Sequence, residues 1–314
     1  IGNTPGNDMR MYEEKIAGYR NFVNKIWNSA RFAIMNVEKE DLEAKFTPGK
    51  IKSLADKWIL AKLQLLIKEV DEDIKNYRIS EAGTKIYDFI WNYYCDWYLE
   101  ISKGEHKNPT VLLHVLKTFL KLLHPFTPFV TEKIWSYIEK TSLITEEWPE
   151  YSEELNFKKE AKIMEEIREI ISQIRSIRAE MKVDASKKIH AIIYSKKRTK
   201  ELEEKRESIM RLARLETLEI SEKGPKIKNA KSIYIGDIEI HLPLKEMIDS
   251  KKEVNRLNKE IENKEKYIKG ITAKLENKGF IKNAPKELIE KQKEQLEKEK
   301  QNLKNLRSQK ENMV

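Results

Sequence analysis

The chain has 314 residues, 36% of them charged and 39% hydrophobic, with 61 Lys+Arg against 52 Asp+Glu for a formal net charge of +9. At about 100–200 residues per domain this length suggests two or three domains. No run approaches the roughly 18 apolar residues of a membrane helix, and IGNTPGNDMR at the start lacks a charged-then-apolar signal pattern, so neither secretion nor membrane spanning is expected. A single cysteine, Cys95, excludes an internal disulfide framework and a cysteine-based zinc site, and fits a reducing cytoplasm. The first residue is Ile rather than Met, as expected of a fragment or a processed piece, which leaves room for chemistry upstream.

All six tryptophans fall before residue 150, which places the well-packed core in the N-terminal part. Helical spacing relates Ile16, Phe22, Val23, Ile26, Trp27 and Ala30, then Leu54, Trp58, Ala61 and Leu65, then Ala82, Ile86, Phe89, Ile90, Tyr93, Trp97 and Ile101. Each set predicts a helix with one buried face. After a break at Gly104 to Pro109, VLLHVLKTFLKLL is apolar nearly all round and belongs at the centre of the bundle. Thr127 is placed to cap the next helix, with Pro128 in its first turn and Ile134, Trp135 and Ile138 facing inward. These elements predict an antiparallel helical bundle over residues 1–155.

From Phe157 the texture changes. Ile163, Ile167, Ile170, Ile174, Ile177 and Met181 draw a stripe along one long helix, followed by the strand-like runs 189–194, 218–220, 232–235 and 238–242 with turn signals at Gly224-Pro225 and Gly236-Asp237. Residues 156–243 therefore read as a small α+β connector. In 244–314, Met247, Val254, Leu257, Ile261, Ile268, Ile271 and Leu275 form a heptad seam interrupted by Lys264. A second seam, Ile289, Leu296, Leu303, Leu306 and Met313, is weakened by Gln292 and Glu299. The turn text 277–285 between them predicts an antiparallel coiled-coil hairpin, each arm roughly 45 Å long. The expected fold class is mainly α: a helical bundle, a small α+β module and a helical hairpin.

No Gly-rich phosphate loop, paired-His metal spacing or supported Ser/His/Asp order occurs, so no catalytic, cofactor or metal residue is expected. His114 and His124 read as satisfied core or interface residues, and Cys95 as a small core residue. Charge is uneven: residues 1–150 carry 21 basic and 22 acidic side chains, 151–243 carry 21 and 17, and 244–314 carry 19 and 13. A basic excess favours a polyanionic partner through counterion release, although a Lys/Glu-rich solvated surface accounts for it equally. In RNFVNKIWNSARF (20–32), Ile26 and Trp27 face the core, while Asn21, Lys25, Asn28, Arg31 and Phe32 form a separate stripe of donors ending in an aromatic ring. Splayed RNA bases need such donors and such a ring. On the residues alone the competing reading is that the asparagines join helices through buried hydrogen bonds and Phe32 closes the core.

RNFVNKIWNSARF resembles the first helix of the anticodon-binding domain in class I aminoacyl-tRNA synthetases for valine, isoleucine and leucine, as do YDFIWNYYCDWYLEISK (87–103), FLKLLHPFTPFVTEKIW (119–135) and EEWPEY (146–151). IRSIRAEMKVDASKK (174–188) and NKGFIKNAPKELIEKQ (277–292) are similar to the bacterial valyl-tRNA synthetase branch in particular. The resemblance covers essentially the whole chain and corresponds to the C-terminal third of such enzymes. The isoleucine branch ends in a cysteine-ligated zinc module that one cysteine cannot build, and the leucine branch lacks the hairpin.

The resemblance implies tRNA(Val) as partner, no membrane, a cytoplasmic monomer, and ATP and Mg²⁺ used only by the full-length enzyme, whose HIGH and KMSKS signatures are absent here; the fragment itself is expected to hold no cofactor. It maps Lys25 and Phe32 to anticodon-loop contacts, with Asn21, Asn28 and Arg31 beside them. Arg175 and Arg178 are candidates for phosphates, or simply for a solvated polar face. Phe280, at the hairpin tip, is a candidate for stacking on the tRNA corner, or a staple against Ile281. Two other functions compete: a free-standing RNA-binding or scaffolding protein, and a structural coiled-coil protein that dimerises through its seams.

Overall fold

The computed structural model describes residues 12–38, 40, 46–103, 108–225, 227, 229–244, 250–276 and 286–311. Helix α1 (Glu13–Met35) buries Phe22, Ile26, Ala30 and Ala33 along one face and carries Glu13 and Glu14 in its first turn, where the helix dipole favours them. Trp27, expected beside Ile26 in the core, is 38% exposed, because a step of one residue turns the side chain about 100° away from the buried face. Ile16 is also exposed, on the same helix. Helix α2 (Leu54–Lys75) is the central strut, with Trp58, Ile59, Leu60, Leu63 and Val70 fully buried, whereas Leu65, expected inward, is exposed.

Helix α3 (Ile79–Asp88) runs into a π-helical segment, Phe89–Tyr98, and a last α turn, α4 (Leu99–Ser102). Helical spacing alone does not distinguish this from an ordinary helix. The wider π turn brings residues four and five apart onto one face, so Phe89, Ile90, Tyr94, Cys95 and Tyr98 are all buried together. Burial pushes the Cys95 thiol up to about 11, which keeps it unreactive.

Helix α5 (Pro109–Leu123) is started by Asn108, whose side chain accepts from Val111 N at 3.3 Å, with Pro109 in the first turn. The same Asn108 donates to the buried Asp56 at 2.8 Å, and Tyr98 donates to the other Asp56 oxygen at 2.8 Å, so one carboxylate ties α2, the π segment and α5 together. Helix α6 (Pro128–Trp135) starts at Pro128 as expected, but the Thr127 hydroxyl makes no capping bond. The Thr131 hydroxyl donates to the Thr127 carbonyl at 2.9 Å and lies 2.8 Å from His124 Nδ1, which links the helix's first turns to the end of α5.

Helix α7 (Lys158–Glu180) buries Ile163, Ile167, Ile170 and Ile174. It is held to the bundle by Arg168, whose guanidinium lies 4.8–5.2 Å from the ring centres of Trp58, Tyr93 and Trp97, while Glu165 accepts from Trp58 Nε1 at 2.8 Å and pairs with Lys62 at 2.9 Å. Strand β1 (Ile189–Ser195) is followed by α8 (Thr199–Glu204), α9 (Arg206–Ala213), β2 (Leu215–Ser221), β3 (Ala230–Ile235) and β4 (Ile238–Pro243), and the sheet order is β2-β1-β4-β3. Gly236, at φ +58, makes the two-residue turn between β3 and β4.

Two compact units emerge: Ile1–Arg175 with Ala191–Gly224 and Ile233–Ile240, and Ser176–His190 with Pro225–Ser232 and His241–Val314. Within the second unit, α10 (Ser250–Glu276) and α11 (Lys286–Glu311), each about 40 Å long, pack against each other. The cross-pairs Lys264 with Glu299 and Tyr267 with Gln295 advance along one helix as they retreat along the other, which makes the pair antiparallel. Lys264 and Glu299, which interrupt the two apolar seams, meet as an ion pair. Ile271 is buried in the seam. The hairpin turn 277–285, with Phe280, lies outside the described residues.

Candidate nucleic-acid interface

Helix α1 is flanked on one side by the π segment and on the other by α6, which leaves a solvent-facing strip between. On the first flank, Phe22, Tyr87 and Trp91 form a ladder of rings with centres 4.4 Å (Phe22 to Tyr87) and 5.7 Å (Tyr87 to Trp91) apart. Lys25 caps it: its ammonium lies 3.6 Å from the Trp91 ring centre and 2.6 Å from Asp96 Oδ1. Phe32 is half-buried on the same flank, with Lys103 Nζ 5.6 Å from its ring centre. Asn21, Asn28 and Arg31 lie on the exposed strip.

On the second flank Trp27 stands edge-on to Tyr137, ring centres 6.1 Å apart, and Lys133 Nζ lies 4.7 Å from the Tyr137 ring. Together with Ile34, Met35 and Ile134 these rings line a cleft of about 340 Å³ that has Arg31 at its edge. The stripe expected from sequence is thus divided: Lys25 and Phe32 face the π segment, and Arg31 borders the α6 side. Trp91, Asp96 and Lys103 complete the first flank, and helical spacing assigns them no such part. The signal for them lies in YDFIWNYYCDWYLEISK, a motif that carries the family resemblance without showing which of its residues reach α1.

The connector arginines are engaged within the chain. Arg175 Nε donates to the Leu212 carbonyl at 2.8 Å and its guanidinium lies 5.2 Å from the Trp97 ring; burial, then the neighbouring Arg214 charge, lowers its pKa. Arg178 is 6% exposed, and its Nη2 donates to the carbonyls of Lys187 at 2.6 Å and Asp184 at 3.2 Å, closing the loop after α7. Phe280 lies outside the described residues, so no geometry joins it to the others.

A larger cleft of about 1000 Å³ lies between α5 and the segment after α6. Its lysines are internally neutralised, Lys117 by Glu139 at 2.5 Å and Lys121 by Glu146 at 3.1 Å. His114 there stacks on Phe46 with ring centres 3.9 Å apart, and burial, helped by the charges of Lys117 and Lys121, lowers its pKa to about 4. Among the described residues no group of three or more His, Cys, Asp or Glu side chains is placed to hold a metal ion, and no helix is long and apolar enough to cross a membrane. The arrangement around α1 presents amide, ammonium and guanidinium donors beside aromatic rings, which is chemistry for holding unpaired bases and phosphates.

Residues 56–193 match the anticodon-binding domain of tRNA ligases, and residues 249–313 match the valyl-tRNA synthetase tRNA-binding arm. The chain is 40% identical over 306 residues to the valine–tRNA ligase of Clostridium tetani, covering 93% of this chain and 34% of that protein. It is 38% identical to those of Clostridium acetobutylicum, over 302 residues, and Geobacter sulfurreducens, over 303, with 92% of this chain and 34% of the relative covered in both cases. The chain therefore spans about a third of the length of the curated relatives it matches.

Proposed function

This chain belongs to the valyl-tRNA synthetase family, as a segment carrying its anticodon-binding domain and its tRNA-binding arm, and on that premise we propose that it is the tRNA-recognition portion of a valine–tRNA ligase. The observation that carries the reading is the presence of both tRNA-binding segments, in order, in one chain, the second of them particular to the valyl enzymes. On this reading the bundle of residues 1–155 takes the anticodon loop, the connector 156–243 spaces the binding elements, and the hairpin 244–314 meets the corner of the L-shaped tRNA. On the same reading the partner is tRNA(Val), the setting is the cytoplasm and the protein is a monomer, the last supported by the packing of the two hairpin helices on each other within one chain.

The whole enzyme would join valine to tRNA(Val) with ATP and Mg²⁺. We assign the ATP and Mg²⁺ of that reaction to other parts of the ligase, a reading supported by the lack of a Gly-rich phosphate loop in this sequence. Within the chain, Lys25 and Phe32 lead as anticodon contacts, with Asn21, Asn28 and Arg31 beside them. Arg175 and Arg178 fit better as residues that position the connector. The test is binding of the purified chain to fluorescently labelled tRNA(Val) transcript, with non-cognate tRNAs as competitors. Saturable binding with preference for the valine anticodon is expected, and equal competition by every tRNA would remove the anticodon assignment.

A further inference from the structure

Beyond the ladder side of α1, the cleft between α1 and α6 has features that the first flank lacks. Its walls are formed by Trp27 and Tyr137 together with Ile34 and Met35, and among the described residues no carboxylate lines it. Three of these side chains are left open to solvent: Met35 at 75%, Tyr137 at 53% and Trp27 at 38%. Its border is cationic, with Arg31 on α1 and Lys133 against the Tyr137 ring. An apolar, aromatic slot with a positive border suits a flat ring attached to an anion, because the ring stacks while the cations meet the phosphodiester. At about 340 Å³ it is at the small end of the roughly 300–1,000 Å³ range of ligand pockets, so it suits one base rather than a peptide helix.

The position on α1 adds the second argument. Lys25 and Trp27 are two residues apart, hence about 200° apart around the helix, so the ladder and the cleft lie on opposite flanks of a helix about 10 Å across. Successive nucleotides of a splayed single strand can straddle such a ridge, with Asn28 and Arg31 on its crest. We infer that the Trp27–Tyr137 cleft is a nucleobase pocket for one unstacked base of the same RNA loop that meets Lys25 and Phe32, with Arg31 and Lys133 on the adjoining phosphate. This rests on the tRNA-recognition reading and extends it to a second subsite.

The probe is a labelled anticodon stem-loop of tRNA(Val), and a set of the same RNA with one loop position at a time made abasic, titrated against the full chain. Tyr137→Ala and Arg31→Gln should weaken binding, Tyr137→Ala by roughly 5- to 150-fold, the range for loss of one stacked base. Tyr137→Phe, which keeps the ring, should bind like the parent. One abasic position should weaken the parent chain by the same factor and weaken Tyr137→Ala no further. If the parent binds the stem-loop and Tyr137→Ala binds equally well, the cleft is not a base pocket and the recognition reading stands. If Tyr137→Ala loses the same factor on every abasic RNA, the ring acts through the fold and the inference also fails. If the parent does not bind the stem-loop at all, both readings fall.

Discussion

Lys25 is held by two attractions inside the chain, the Trp91 ring 3.6 Å away and the Asp96 carboxylate 2.6 Å away, so an RNA group must compete with both for it. Phe32 is half-buried and offers part of a ring face. Lys25→Ala and Phe32→Ala should weaken binding of an anticodon stem-loop, the latter by about 1–3 kcal/mol for one stacked base, with little change in melting temperature. A sharp fall in melting temperature with RNA affinity intact would place Phe32 in the core instead. Arg178 predicts differently: Arg178→Gln leaves the carbonyls of Asp184 and Lys187 short of a charged donor, and should lower stability in urea by about 1.5–3 kcal/mol. If stability is kept and the slope of log K against log salt flattens by roughly 0.7–0.9, Arg178 meets a phosphate after all.

His114 gives a pH signature at the same scale. Its folded pKa of about 4 lies below its ordinary value of 6.5, so between those values the unfolded chain takes up a proton that the folded chain refuses. Stability from this site is fully present above pH 6.5 and is lost as pH falls toward 4, by no more than about 3 kcal/mol. Urea midpoints of the parent and of His114→Phe, compared at about pH 7.5 and about pH 4.5, measure it: the variant should lose less on acidification.

Among the elements, the hairpin and the π segment carry the clearest lessons. Lys264 and Glu299 each look like a defect when one seam is read alone, but across the antiparallel pair they neutralise each other, and Lys264 holds the Glu299 carboxyl below the usual carboxylate range. A charge pair inside an apolar seam fixes register more than it adds stability. Glu299→Leu alone should lower the thermal midpoint of the hairpin by leaving Lys264 unpaired, whereas Lys264→Leu with Glu299→Leu should restore or raise it, both followed by helical circular dichroism. A double variant that melts lower than either single would show that the pair contributes stability as well as register. In the π segment, ten residues in the wider turn bury aromatics that an ordinary helix would splay, and the same turn brings Trp91 and Asp96 to Lys25.

At the scale of the molecule, the basic excess of the hairpin, 19 basic against 13 acidic side chains over 244–314, is mostly lysine. Lysine meets phosphates as a flexible point charge and does not fork onto a base edge as arginine does. Deleting residues 251–314 should therefore weaken binding of cognate and non-cognate tRNAs alike. It should also flatten the dependence of log K on log salt by roughly 0.7–0.9 for each phosphate that the arm neutralises. Weakening confined to the cognate tRNA, or an unchanged salt slope, would contradict this account of the arm.

What the sequence determined by itself was whatever follows from local periodicity and punctuation. The stripes that form α1, α2, α5 and α7, the four strand runs, the Pro128 and Gly236 turns and the antiparallel hairpin are all legible, because a 3.6- or 2-residue repeat is written in neighbouring positions. The motifs that carry the family are legible for the same reason. Tertiary structure alone decided which residues share a surface. Periodicity orients a side chain on its own helix but does not say which neighbour covers it, so Leu65 fits an inward stripe and yet stands exposed. Nor does it give distances between segments: Lys25 with Asp96, Arg178 with the Lys187 carbonyl, and Trp27 with Tyr137 are contacts that only the packing of separate elements creates.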